Sequence, residues 1–333
     1  MKLSDIGEFG LINRFAPLFL KNLPDNITGI GDDCAVLPLS DIESLLVTTD
    51  MLIQDSHFIF ARIPPEELGY KSLAVNLSDI AAMGGVPTCA FLSLGIPPDV
   101  EVEWLDRFFA GLNRLGSETN TVLLGGDTTK SLRHLIINIA VLGRAETALL
   151  KYRTKAKAGD IVCLTGNIGD SGTGLKLLLD DKPLDEDAKF LVSRHHLPRP
   201  HLAEGAWLAR QESVHAMIDV SDGIDSDLQR IIESSNCGIK VNLEDLPISE
   251  IMNRVCTAYD WNAREIAATG GEDYCLLCTI DPEYIVSVAP AYQKRFKREL
   301  YQIGNVTSSV GNLEYFSRNE KVQLTKHGFD HFI

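Results

Sequence analysis

Five aspartate-bearing signatures interrupt otherwise apolar or strand-like runs of this chain: Gly31-Asp32-Asp33, Thr48-Thr49-Asp50, Asn76-Leu77-Ser78-Asp79, Gly125-Gly126-Asp127-Thr128 and Asp219-Val220-Ser221-Asp222-Gly223. An aspartate set among Leu73, Val75, Ile80 and Met83, as Asp79 is, costs several kcal/mol to bury unless something compensates its charge. A metal ion or a capping amide meets that need. A helix cap or a turn explains any one of these signatures alone. Five together, without basic residues beside them, point to strand ends that converge on a cation cluster. Glycines beside Asp33, Asp127 and Asp222 allow close backbone approach and expose amides, as a phosphate site requires.

The elements between the signatures alternate. SLLVTTDMLI reads as a strand, PPEELGYKSLAVNLSDIAAMGG as a helix bounded by prolines and a glycine pair, and TCAFLSLGI as a strand. VEWLDRFFAGLNRLGSE has helical apolar spacing, and TVLLGGDTT and LIINIAVLGRA follow as strands. After the basic stretch RAETALLKYRTKAKAGD, the pattern resumes with IVCLTG, GTGLKLLL, HLAEGAWLARQ, AMIDVS, SDLQRIIESS, IKVNL and YCLLCTI. Two α/β halves are expected, residues 1–146 and 147–333, and 333 residues suffice for two cores.

Composition narrows the chemistry. A formal net charge of -15 argues against a nucleic-acid partner, since polyanion binding needs a basic surface, and any phosphate ligand then needs divalent cations beside it. The longest uncharged stretch, from Ile80 to Pro98, is broken by glycines and prolines, and no membrane span is expected. With acids at the start of MKLSDIGEFG where a secretory signal has a basic start and an apolar run, no targeting segment is expected. Seven cysteines without a framework spacing read as reduced thiols of a cytoplasmic protein, and Cys275 and Cys278 in YCLLCTI read as strand core rather than a zinc or redox pair. Neither a GxxxxGK[ST] loop nor a GxGxxG fingerprint with a downstream ribose acid is present; the glycine loop Gly166-Asn167-Ile168-Gly169-Asp170-Ser171-Gly172-Thr173-Gly174 is the nearest candidate and by itself reads as a tight turn.

The motifs GIGDDCAVL, TTDMLI with a following SHF, YKSLAVNLSDIAAMGGVP, LLGGDTT, IDVSDGI and GGEDYCLL occur in one order. They resemble the thiamine-monophosphate kinase family, of the aminoimidazole-ribonucleotide synthetase-like superfamily. The likeness runs from Gly7-Glu8-Phe9 to the terminal Gly328-Phe329-Asp330-His331-Phe332. The resemblance implies two α/β domains, an N-terminal mixed sheet that pairs across a homodimer interface and a C-terminal domain that completes the nucleotide and thiamine phosphate site. It implies several Mg2+ ions on Asp33, Thr48, Asp50, Asp79, Asp127, Asp219 and Asp222, with Asp32 orienting the loop. It assigns ATP contacts to Thr49, Gly126, Asp127, Arg153 and Ser221, and thiamine monophosphate contacts to His57, Glu272 and Phe329.

Read as chemistry, Glu272 accepts from an aminopyrimidine, Phe329 stacks on an aromatic ring, and His57 approaches the substrate phosphate. The structural alternatives are a solvated glutamate, a core plug and a satisfied histidine. Phe109 stands where family members often have tyrosine, and it lacks the hydroxyl of that residue. The implied reaction is in-line transfer of the γ-phosphoryl group of ATP, with metal-assisted Asp127 and Asp222 and no nucleophilic side chain. The rivals are another ATP-dependent member of the superfamily, of the aminoimidazole-ribonucleotide synthetase or selenophosphate synthetase type, and a non-catalytic ATP/Mg-binding module.

Overall fold

The computed structural model describes residues 2–329 and 332, so Asp330 and His331 of the C-terminal run lie outside the described residues. The first half comprises α1 (Gly7–Leu20), β1 (Ala35–Pro38), β2 (Glu43–Ile53), α2 (Pro65–Ala82), β3 (Val86–Ile96), α3 (Val102–Thr119), β4 (Val122–Lys130) and β5 (Ile136–Glu146). Its strands make one sheet in the order β1-β2-β5-β3-β4. Only β3 and β4 pair in parallel, because α3 is the crossover that brings the chain back to start beside β3. Side chains alternate along β2: Leu46, Thr48 and Leu52 are buried, while Thr49 and Met51 face out.

The second half comprises β6 (Ile161–Leu164), α4 (Asp170–Leu179), α5 (Glu186–His196), α6 (Leu202–Ala209), β7 (Val214–Asp219), α7 (Ile224–Ser235) and β8 (Gly238–Asn242). It continues with α8 (Glu250–Ala258), α9 (Ala263–Thr269), β9 (Leu276–Ile280), α10 (Ile285–Phe296), β10 (Tyr301–Thr307), β11 (Leu313–Ser317) and β12 (Glu320–Val322). Its sheet has the order β12-β11-β8-β10-β6-β9-β7. The elements α5, α8 to α10 and β10 to β12 are additional to those the sequence predicts. Cys278 lies buried in β9 with Cys275 buried just before it, and burial pushes both thiols up, which suits core packing.

Helix α2 holds the halves together. Pro65 and two acids open it, and a left-handed Gly84 (φ 73°) closes it, with Gly84 N donating to Ala81 O and Gly85 N to Ile80 O. One side packs on β2, β5 and α3, the other on α6 and β7. Leu73, Leu77 and Ile80 enter the core of the first half, while Ala81 and Ala82 join Leu208, Met217 and Tyr292 of the second. The polar residues Lys71, Asn76 and Ser78 are consequently buried along with the apolar ones. On the far side of the first sheet, β4 is exposed along its whole length, and Val86, Phe91, Val122 and Leu124 lie open. No described helix is long and apolar enough to cross a membrane.

Candidate active site

Four of the five signatures meet between the halves. Asp33 comes from the loop before β1, Asp79 from the last turns of α2 and Asp219 from the end of β7, and one carboxylate oxygen of each lies within 4.8 Å of the others. Strand alternation aims Thr48 inward, where its hydroxyl donates to Asp79. Asp50 lies two residues on, its backbone N donating to Asn76 Oδ1 at 3.1 Å. Burial, then repulsion from Asp222 and Asp33, raises the Asp50 carboxyl to about 6. Burial and neighbouring carboxylates likewise push Asp79 and Asp219 well above the ordinary carboxylate range. These shifts share one cause: several acids have left water without enough cations to match them.

One protein cation does reach the cluster. Arg153 Nη2 lies 2.5 Å from Asp33 Oδ1 and its Nε 3.4 Å from Asp32 Oδ1. Asp32 also accepts the backbone N–H groups of Asp33 and Arg153, which fixes the loop as the resemblance implies. Even so, Asp33 Oδ2 and Asp219 Oδ2 are buried with no hydrogen-bond partner among the described residues, Ser78 being the hydroxyl that acts on Asp219. A third orphan, Asp227 Oδ2, belongs to a buried residue that the sequence reading does not include. Burial first, then Asp222 and Asp219, raise its carboxyl too. In the sequence Asp227 looks like an ordinary first-turn helix acid, and the only hint otherwise is its place after SDG.

The other expected ligands are set differently. Asp222 lies 3.7 Å from Arg230, and its backbone O accepts from Phe329 N at 3.0 Å, which docks the C-terminal segment on this loop. Ser221 O accepts from Glu272 N at 2.7 Å. Thr49 faces the opposite side of the sheet, where its hydroxyl accepts from Asn138 Nδ2. Gly126 and Asp127 lie on exposed β4, separated from β2 by β5 and β3. Gly126 must be glycine, since a Cβ there would sit 1.6 Å from Leu92 O. Within one chain, therefore, Asp127 stands apart from the buried acids. Phe109 packs edge-on against Phe108 on α3, with ring centroids 5.6 Å apart.

A second, partly buried carboxylate lies near the start of α2. Glu272 Oε1 is 2.8 Å from the Nζ of fully buried Lys71, and Oε2 is 3.1 Å from His195 Nδ1 on α5. Burial alone would raise the Glu272 carboxyl, but Lys71 and His195 bring it well below the usual range. Glu272 and Tyr274 both have left-handed backbones, with φ of 65° and 51°, a conformation that side chains adopt at the expense of strain and that gathers at functional sites. Nothing in the sequence marks Lys71 or His195, since their pairing with Glu272 depends on packing between the halves. Of the remaining expected residues, His57 is held at the end of β2, its Nδ1 accepting from Ile53 N at 3.0 Å, and Phe329 is half exposed.

This two-domain fold with an oxygen-rich acidic centre defines a class. The chain matches the models for AIR synthase related protein, N-terminal domain, over residues 31–145, and AIR synthase related protein, C-terminal domain, over residues 157–314. Among curated proteins it is 36% identical to the thiamine-monophosphate kinase of Escherichia coli (strain K12), covering 98% of each chain. It is 38% identical to that of Haemophilus influenzae, again over 98% of each. A solved structure described as AaThiL complexed with AMPPCP and TMP superposes with a TM-score of 0.86 at 33% identity, covering 100% of this chain and 99% of that one. The chain belongs to the thiamine-monophosphate kinase family.

Proposed function

We infer that this chain transfers the γ-phosphoryl group of ATP directly to thiamine monophosphate, giving thiamine diphosphate and ADP. The observation that carries the site is the convergence of Asp33, Asp79 and Asp219 within 4.8 Å, with two of their oxygens buried and without a hydrogen-bond partner among the described residues. An all-oxygen set of hard donors with excess negative charge fits Mg2+. Asp33, Asp79 and Asp219 would hold it, with Thr48, Asp50 and Asp222 beside them. Bound Mg2+ supplies charge neutralisation between two anionic reactants. ATP is supported as co-substrate by the relative solved with AMPPCP.

The protein's own part is positioning. The acceptor phosphate is already ionised near neutral pH, so no side chain need act as nucleophile or strong base. Arg153, tethered by Asp32 and Asp33, offers its remaining donors to a phosphate oxygen, and Thr49, Gly126, Asp127 and Ser221 complete the proposed ATP contacts. Glu272, kept anionic by Lys71 and His195, accepts from the aminopyrimidine, with His57 and Phe329 as the other substrate contacts. The exposed apolar face around Phe91 and Leu124 supports a homodimer through the first sheet, and an open edge strand favours such pairing. Asp127 would then face the site of the second copy. The division at 146/147 and a cytoplasmic location, which seven free cysteines favour, belong to the same reading.

Incubation with ATP, Mg2+ and thiamine monophosphate, followed by 31P NMR, tests the reaction. ADP and thiamine diphosphate should form in equal amounts. Release of inorganic phosphate alone, or turnover only with a different acceptor, would overturn it.

A further inference from the structure

We propose that the second half carries a separate site for a phosphate monoester bearing a flat ring, in a cavity between the β6–α4 loop, α5 and the end of α10. The cavity has a volume of about 550 Å³, within the range of small-molecule sites. Its lining includes Arg194, Lys297 and Arg298 on one side and the loop residues Gly166 and Asn167 on another. Three cations at one cavity are notable in a chain of net charge -15. Arg298 lies 3.7 Å from Glu204, whose closer partner is Arg199 at 2.9 Å. Among the described residues the side chains of Arg194 and Lys297 make no hydrogen bond or ion pair, although the Arg194 charge acts on Asp170 and Asp273.

The interior also holds an unspent polar group. His201 is 3% exposed and lines the cavity; its Nδ1 bonds to Thr165 Oγ1 at 2.8 Å, while Nε2 has no partner among the described residues. Burial first, and then Arg199, Arg298 and Arg194, keep this imidazole neutral, with its pKa lowered to about 3. A neutral ring can exchange a hydrogen bond with a ligand at Nε2.

Three acids line the cavity beside the three cations; two of them are engaged, and the third, Glu299, is exposed. The Asp273 oxygens accept from Gly169 N at 2.6 Å and Ser171 N at 3.2 Å, so the start of α4 is already capped by the protein. Asp170 accepts from Ser249 Oγ at 2.6 Å. The anion is therefore directed to Arg194, Lys297 and Arg298 rather than to the helix amides. Phe190, 39% exposed, and Tyr301 supply faces on which a ring can stack. The cavity does not share the acid cluster: Asp33, Asp79 and Asp219 are absent from its lining.

Such an ester is either a nucleotide or a thiamine phosphate, and one experiment separates them. The full-length protein is titrated calorimetrically with AMP and, in parallel, with thiamine monophosphate, in EDTA so that no divalent cation recruits phosphates to the acid cluster. At least one ester should bind saturably, with affinity reduced at least about tenfold in the double variant Arg194→Gln/Lys297→Asn, whose circular dichroism stays native. The tighter ester names the source. Absence of saturable binding by both, or equal affinity in the double variant, would overturn the site.

Discussion

Helix α2 takes part in a carboxylate site near each end, through buried Lys71 at one and Asp79 at the other, and the two ends balance charge differently. Near its start, Lys71 meets Glu272, and with His195 the charge is balanced inside the protein. About 12 Å along the helix, eight residues at 1.5 Å each, Asp79 meets Asp33 and Asp219 with Arg153 against Asp33 and Arg230 farther out beside Asp222, and carboxylate oxygens remain orphaned among the described residues. The contrast shows in the titration behaviour: Glu272 is driven down and the acids around Asp79 are driven up. A carboxylate that brings its own cation is a finished binding group. A set that lacks cations is built to receive them.

The sharpest way to break this comparison is to remove charge from the unfinished end. Asp219→Asn should lower kcat on the order of 10³-fold with the fold retained, because a displaced metal loses most of its electrostatic benefit. A loss under tenfold would break the assignment. Asp127→Asn sharpens it, since Asp127 lies on the exposed strand. If Asp127 serves the partner's site, refolding inactive Asp219→Asn and Asp127→Asn chains together at equal ratio should restore roughly a quarter of wild-type activity, one intact site in half of the dimers. No recovery would place both residues in one chain's site.

At the finished end the effect should be smaller and of another kind. Lys71→Met leaves Glu272 without its nearest cation and should raise KM for thiamine monophosphate by about 10- to 100-fold, with kcat changed less. Equal losses in kcat and in kcat/KM would assign Lys71 to the transition state instead. Smallest is a gain in stability. In EDTA, Asp219→Asn should melt about 1–2 °C above wild type, since about 1 kcal/mol of repulsion at a buried site disappears. A lower melting temperature would mean that the apo cluster is not repulsive.

Much of the unfinished end was legible from the residues. Asp79 among apolar neighbours and Asp219 at a strand end carry their own demand for compensation, and Gly31-Asp32-Asp33 marks a tight loop. The same signal misleads about grouping. Asp127 has the same glycine flanks, but strand order puts β5 and β3 between it and β2. Thr49 differs from Thr48 only by strand alternation, which sends one outward and one to Asp79. The finished end was hardly legible. Lys71 sits in YKSLAV where a surface lysine is unremarkable, His195 lies on a helix the sequence did not predict, and Glu272 was seen without either. Such pairs form only when the halves pack, so local pattern has no access to them.

The buried acids, not merely an acidic surface, are the proposed seat of Mg2+. The most direct test is calorimetric titration of Mg2+ into the wild-type protein and into Asp219→Asn in the absence of nucleotide. Saturable binding in the wild type that is lost, or weakened at least about tenfold, in Asp219→Asn is the predicted result. Identical isotherms for the two proteins would contradict it.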